Sequence, residues 1–171
     1  MIYAGIGARR TPGNILHAMV GVAEYLTKDG HTLRSGGAQG ADRAFEIGCD
    51  RLQGHKEVYL PWKGFEQSNS PLYVVTQEAM DVAALFHPAW SGLSQGARKL
   101  MGRNSYQMLG PELVTKTDFV VCWTPEGKVV GGTGQTLRMA EYYGIPVFNL
   151  GGAASLQVMS RRILDFLERN S

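Results

Sequence analysis

The sequence is poor in cysteine: Cys49 and Cys122 are its only two, far apart and without a CxxC or Cys/His spacing. Each sits in an apolar stretch, so two buried thiols are expected rather than a redox or metal motif. Charge of one sign is also missing. Lys and Arg total 17 against 15 Asp and Glu, a net charge of +2, which lacks the strong electrostatic footprint of a dedicated nucleic-acid binder and leaves room only for a local basic patch. No apolar run approaches the roughly 20 residues that span a bilayer, so no membrane partner is expected. The opening Met1-Ile2-Tyr3-Ala4-Gly5 has no basic-then-apolar leader, and the expected location is cytoplasmic. Several motifs are absent as well. There is no GxxxxGK[ST], which excludes a P-loop NTPase, no HExxH or other metal spacing among the four histidines, and no G-x-S-x-G elbow. No metal and no resident cofactor are expected. Internal repeats, low-complexity tracts and linkers are absent too.

What is present is a chain of 171 residues, 44% hydrophobic, the size and composition of one domain that buries its own core. Residues 2–6 form a short apolar run ending in glycines, and Ile15, Met19, Val22, Ala23 and Leu26 then recur at helical spacing until Gly30. The unit repeats: a strand over 31–34, a glycine loop, and a helix over 41–52. Further strands are predicted over 58–60, 119–123 and 145–150, and further helices over 74–86, 94–109, 133–143 and 155–169. Alternating helices and near-continuous apolar strands predict a single doubly wound α/β domain, Rossmann-like, with a mainly parallel sheet. The stretch of about 63–110 interrupts the alternation and reads as a helical insertion over the sheet edge or the site.

In open α/β sheets, ligands bind at the carboxyl ends of the strands where strand order reverses. Three strand-following loops are glycine-rich: Gly5-Ile6-Gly7-Ala8-Arg9-Arg10, Ser35-Gly36-Gly37-Ala38-Gln39-Gly40-Ala41-Asp42 and Gly131-Gly132-Thr133-Gly134-Gln135-Thr136. Glycines let backbone N–H groups approach an anion, and a helix starting just after them aims its free N–H groups and positive dipole end at the same point. A phosphate or ribose-phosphate ligand is therefore expected on Gly7, Ala8, Arg9, Ser35, Gly36, Gly37, Ala38, Gly40, Ala41, Asp42 and the Gly131 to Thr136 loop. Tight strand-to-helix turns alone would also require such glycines. Redox use of NAD is disfavoured, because Arg10 stands where a dinucleotide fingerprint needs its third glycine and Arg34, not an acid, ends the second strand. Arg9 suits a bidentate phosphate pair or a solvated surface, and Asp42 suits a helix cap or ribose hydroxyls. Arg103 and Asn104 offer a guanidinium and an amide that close over a ligand or form ordinary helix surface. Trp62, Trp90 and Trp123 fit core or interface better than base stacking.

On these residues the sequence resembles the SLOG superfamily, the Rossmann-like group that includes the DNA-processing protein DprA (Smf) and the LOG cytokinin-activating phosphoribohydrolases. Ile6-Gly7-Ala8-Arg9 is similar to the opening glycine-arginine turn of DprA, and Ser35 to Asp42 to its SGGA-x-G-x-D segment. Arg103-Asn104 resembles the start of its RNR element, with Ser105 at the third place, and Phe119-Val120-Val121 with Gly131 to Thr136 resembles its last strand and glycine loop. The overall likeness is to small stand-alone DprA-like proteins of bacteria and phages. The resemblance implies a nucleotide-like ligand, with single-stranded DNA as an alternative partner tracked by Arg9, Arg10, Arg43, Arg98, Lys99 and Arg103. It also implies a homo-oligomer. A LOG-like reading makes the chain a hydrolase or transferase at the N-glycosidic bond of a nucleoside monophosphate, with a carboxylate stabilising oxocarbenium-like charge. The LOG motif PGGxGTxxE is altered: Val130 replaces the proline, Gln135 stands at the threonine position, and Leu137 and Arg138 fall where the acid belongs. The candidate carboxylates under that reading are Asp42, Asp118 and Glu141, with Asp42 and Glu141 preferred as catalytic; Glu141 lies one helical turn beyond the motif's acid.

Overall fold

A computed structural model describes residues 1–171. The strands are β1 (Ile2–Gly5), β2 (Thr32–Ser35), β3 (Lys56–Val58), β4 (Phe119–Cys122) and β5 (Val147–Asn149). The helices are α1 (Gly13–Lys28), α2 (Ala41–Arg51), α3 (Gln77–Ala84), α4 (Gln95–Leu109), α5 (Gly131–Tyr143) and α6 (Leu156–Arg169). All strand pairs are parallel, in the order β3-β2-β1-β4-β5. The chain steps outward from β1 to β3, then crosses back to place β4 beside β1 and continues to β5. Strand order thus reverses between β1 and β4, and a crevice opens beyond their carboxyl ends.

The two-residue side-chain period of a strand divides the core. Tyr3, Leu33, Phe119 and Val121 point to the face covered by α1, α2 and α6, packing with Met19, Leu26, Phe45 and Ile163. Ala4, Val120 and Cys122 point to the opposite face, against Met108 and Leu109 of α4 and Leu137, Met139 and Ala140 of α5. Phe119 centres the first layer: its ring stacks on Tyr3 at 5.7 Å and meets Phe166 edge-on at 5.3 Å between centroids. Both cysteines are free thiols sealed in these layers, and burial raises the pKa of each, that of Cys122 to about 12. No helix is long and apolar enough to cross a membrane.

Several boundaries differ from the sequence expectation for identifiable reasons. The third strand lies at Lys56–Val58, two residues before the expected 58–60. Val58, Tyr59 and Leu60 are all buried, but the Leu60 N–H donates to Leu72 O at 2.8 Å rather than to the sheet. Apolar runs report burial, and here two of the three pairing residues, Lys56 and Glu57, are polar, with Val58 the third. Helix α3 is shorter than the expected 74–86 because Thr76 caps it, its Oγ1 accepting the Ala79 N–H at 3.2 Å. Helix α5 begins at Gly131, two residues before the expected start at Thr133, and β5 is trimmed to Val147–Asn149 from the expected 145–150. The stretch read as an insertion carries α3 and α4, and α4 belongs to the covering layer of the second face.

Candidate functional site

Beyond the β1 and β4 ends lies a cavity of about 390 Å³, within the usual range of small-molecule sites. Gly7, Ala8 and Arg9 after β1 form one wall, Ala38 and Asp42 a second, and Thr124, Pro125 and Val130 to Thr133 after β4 a third. The fourth wall is one face of α4: Leu100, Arg103, Asn104 and Gln107 recur at helical spacing, with Met101 beside them.

The loops depend on glycine where they touch. Gly40 has φ +84° and ψ −123°, backbone that side chains rarely adopt, and a Cβ there would lie 2.7 Å from Arg9 O and 2.8 Å from Ala8 O. The β1 loop therefore rests directly on the β2 loop. A Cβ on Gly36 would strike the Arg103 guanidinium and approach Asp42 Oδ2 to 2.8 Å.

Beneath the cavity runs a buried polar network. Asp42 Oδ2 accepts the Ala38 N–H at 3.2 Å, and Arg103 donates to Gly36 O, packs over the Phe65 ring at 5.7 Å, and donates through Nε to Asn104 Oδ1 at 3.0 Å. Burial raises the pKa of Asp42 to about 6 despite the opposing pull of Arg103 and the Ala38 N–H, with Glu46 adding a smaller upward push. Burial likewise lowers the pKa of Arg103, against the attraction of Asp42. The Asp42 carboxyl thus holds its proton to higher pH than an exposed aspartate does.

Above this network lie backbone groups free to donate. The N–H groups of Gly7, Ala8 and Arg9, and those of Gly131, Gly132 and Thr133 in the first turn of α5, donate to no protein acceptor. Arg9 stands at the lip, its side chain 57% exposed, with Nη2 3.1 Å from Glu66 Oε1 and its guanidinium 5.8 Å over Phe65. Glu66 itself has φ +48°, a left-handed conformation in the short turn Phe65–Gln67.

Of the residues expected to touch a ligand, Gly7, Ala8, Arg9, Ala38, Asp42, Arg103, Asn104, Gly131, Gly132, Thr133 and Thr136 border the cavity. Ser35, Gly36, Gly37, Gly40, Ala41, Gly134 and Gln135 do not border it. Ser35 is sealed, its Oγ donating to Glu46 Oε1 at 2.7 Å. Gln135 is equally sealed, its Nε2 donating to Ala83 O at 3.3 Å; both hold the walls rather than face the space. Glu141 is exposed near the far end of α5 and does not border the cavity. Five residues at 1.5 Å rise place it roughly 7.5 Å along the axis from Thr136, the last α5 residue that borders the cavity. Trp62, Trp90 and Trp123 also lie outside the lining. Sequence reasoning missed Ile6, Leu100, Met101, Gln107, Thr124, Pro125 and Val130. The α4 face was detectable by counting three and four residues out from the Arg103-Asn104 pair.

No protein-family model matches the chain, and no curated protein matches it. Among solved structures, it is similar to DNA processing protein A from Helicobacter pylori, a structure described for a single-stranded DNA binding mode. The fold is DprA-like. The TM-score is 0.52 at 17% sequence identity, over 87% of this chain and 64% of the Helicobacter pylori DprA chain. This chain therefore spans less than two thirds of the DprA chain it matches, and the likeness speaks for the fold.

Proposed function

We propose that this chain binds the phosphate end of a nucleotide in the cavity at the β1/β4 switch point. The observation that carries the reading is the convergence of two sets of unpartnered backbone N–H groups, Gly7 to Arg9 and Gly131 to Thr133, on one space. An anion there gains directed hydrogen bonds and the positive end of the α5 dipole, and Arg9 at the lip adds a charge-assisted pair. Asp42, away from those donors in the chain, suits the sugar hydroxyls.

A second reading, single-stranded DNA held across the same site, is favoured by the DprA-like fold, since the Helicobacter pylori protein is described as binding single-stranded DNA. A DNA phosphate would use the same donors, with Arg9 and Arg10 exposed alongside. Arg103 does not belong to such a patch, because it is buried and committed to Gly36 and Asn104. One experiment separates the readings: isothermal titration with ribose 5-phosphate and nucleoside 5′-monophosphates, beside fluorescence anisotropy with a labelled single-stranded oligonucleotide across salt concentrations. Saturable mononucleotide binding supports the first reading. Oligonucleotide binding that falls steeply with salt, without mononucleotide binding, supports the second. Free base appearing in the titration mixture, and lost in Asp42→Asn, would add N-glycosidic cleavage; no phosphorylated ligand binding in either arm refutes both.

A further inference from the structure

The cavity wall contributed by α4 presents two side-chain amides, Asn104 and Gln107, and only one is uncommitted. Asn104 accepts from Arg103 Nε through Oδ1 at 3.0 Å and donates through Nδ2 to Gln135 Oε1 at 3.0 Å. Gln135 in turn donates to Ala83 O at 3.3 Å. Gln107 differs from both. It is 2% exposed and borders the cavity; its backbone carbonyl accepts from Thr117 Oγ1 at 2.6 Å, and its side-chain amide makes no hydrogen bond within the protein. The polar side-chain atoms that are both sealed and unpartnered are Tyr3 Oη, Thr27 Oγ1, His31 Nδ1 and Arg98 Nε. The Gln107 amide is not among them, so it retains access to open space, and the cavity is the space it borders.

A buried amide in a native fold is normally satisfied, and an uncommitted one facing a cavity calls for a ligand group that satisfies it. We infer that Gln107 is the base-reading group of this cavity, and that the ligand is a nucleoside phosphate rather than a bare sugar phosphate or inorganic anion. This rests on the nucleotide-phosphate reading above. A phosphate is drawn to the free N–H groups of the β1 loop and α5, which leaves the α4 wall for the rest of the ligand. That wall is neutral at Gln107 and apolar at Leu100 and Met101, with Ile6 also bordering the space, surfaces suited to a flat ring. A carboxamide offers a donor and an acceptor side by side, the complement of the paired acceptor and donor on a nucleobase edge, as glutamine pairs with the N6 and N7 edge of adenine.

The test compares the protein with Gln107→Met, which keeps the side-chain length without the amide, and Gln107→Glu, which keeps an acceptor and loses both donors. Each is titrated calorimetrically with ribose 5-phosphate, the four ribonucleoside 5′-monophosphates, and purine riboside 5′-monophosphate, which lacks the exocyclic amine of adenine. The parent is expected to bind its preferred nucleotide about tenfold or more tighter than ribose 5-phosphate, and the Met variant to lose that margin while holding ribose 5-phosphate unchanged. If the preferred base is adenine, the purine riboside phosphate reproduces the loss without mutation. Thermal melts of both variants confirm the fold, and should Gln107→Met melt early, Gln107→Glu carries the comparison. The inference is overturned if the parent binds ribose 5-phosphate as well as any nucleotide, or if the variants weaken both ligands equally. Failure of the parent to bind any phosphorylated ligand defeats the underlying reading instead.

Discussion

Substituting Gly40 by alanine tests whether the β1 and β2 loops form one rigid phosphate-facing unit. Gly40 precedes α2 at φ +84° and ψ −123°, a region that glycine occupies freely and other residues hold only under strain of about 1–3 kcal/mol. The new Cβ would also stand 2.7 Å from Arg9 O and 2.8 Å from Ala8 O, both backbone atoms with no flexible side chain to give way, and overpacking of that kind adds about 1–3 kcal/mol. Relief comes by lifting Ala8 and Arg9 away, so part of the cost appears as displaced donors rather than lost stability. We expect a destabilisation of about 2–4 kcal/mol, a fall in melting temperature of roughly 5–15 °C for a chain of this size, and a loss of phosphate-ligand affinity. The assay is calorimetric melting with and without ribose 5-phosphate. A variant that melts within about 1 °C of the parent and binds ribose 5-phosphate unchanged would refute the claim that the loops are held by backbone-to-backbone contact.

Gly21 gives the opposite sign: it lies inside α1 with open space around its would-be Cβ, so Gly21→Ala should stabilise by about 0.5–1 kcal/mol, and chemical denaturation showing a loss would contradict this. For Asp42, whose pKa rises from 3.8 to about 6 on folding, the folded state holds a proton that the unfolded chain has released between those values. Its contribution to stability is therefore complete below pH 3.8 and is lost as pH rises through about 6. The melting temperature of Asp42→Asn minus that of the parent should accordingly increase from pH 4 to pH 7, around a fixed offset from leaving Arg103 without its charge partner; parallel profiles would show the carboxyl to be unperturbed. Glu66 holds Arg9 at 3.1 Å on the cavity lip, a surface pair worth under about 1 kcal/mol. Glu66→Gln should free the guanidinium and tighten phosphate binding roughly two- to fivefold at low salt, a gain that fades as salt screens it; equal affinities across the salt series would remove Arg9 from the site.

Much of this was legible in the chain itself, and the exceptions have physical causes. Helical spacing in Ile15, Met19, Val22, Ala23 and Leu26 located α1; all but the half-buried Val22 are its buried residues. The apolar run over 119–123 located β4, which spans Phe119–Cys122 and is buried at every position, with Trp123 just beyond it. Periodicity misplaced β3 because the edge strand begins its pairing at the polar Lys56 and Glu57 before reaching Val58, and edge residues need not be apolar. It failed at Ser35 and Gln135 for a different reason: polar residues beside glycine loops read as ligand contacts, yet each spends its hydrogen-bonding group on a buried partner, Glu46 and Ala83 respectively. No local pattern distinguishes a polar side chain facing a cavity from one facing a carbonyl 52 residues away.

The amino-acid order by itself determined the alternation of strands and helices and the three glycine loops, because hydrophobic period and backbone permissiveness are local properties. It also determined that those loops fall at the carboxyl ends of the strands, since each follows its strand in the chain and parallel strands bring those ends to one edge. Only the tertiary structure decided which side chains share a space. It brought α4 across to close the cavity, sealed Arg103 against Gly36, left Glu141 exposed outside the cavity lining, and left the Gln107 amide unpartnered. Those outcomes depend on contacts between residues far apart in the chain, which follow from how layers pack and not from any short stretch of sequence.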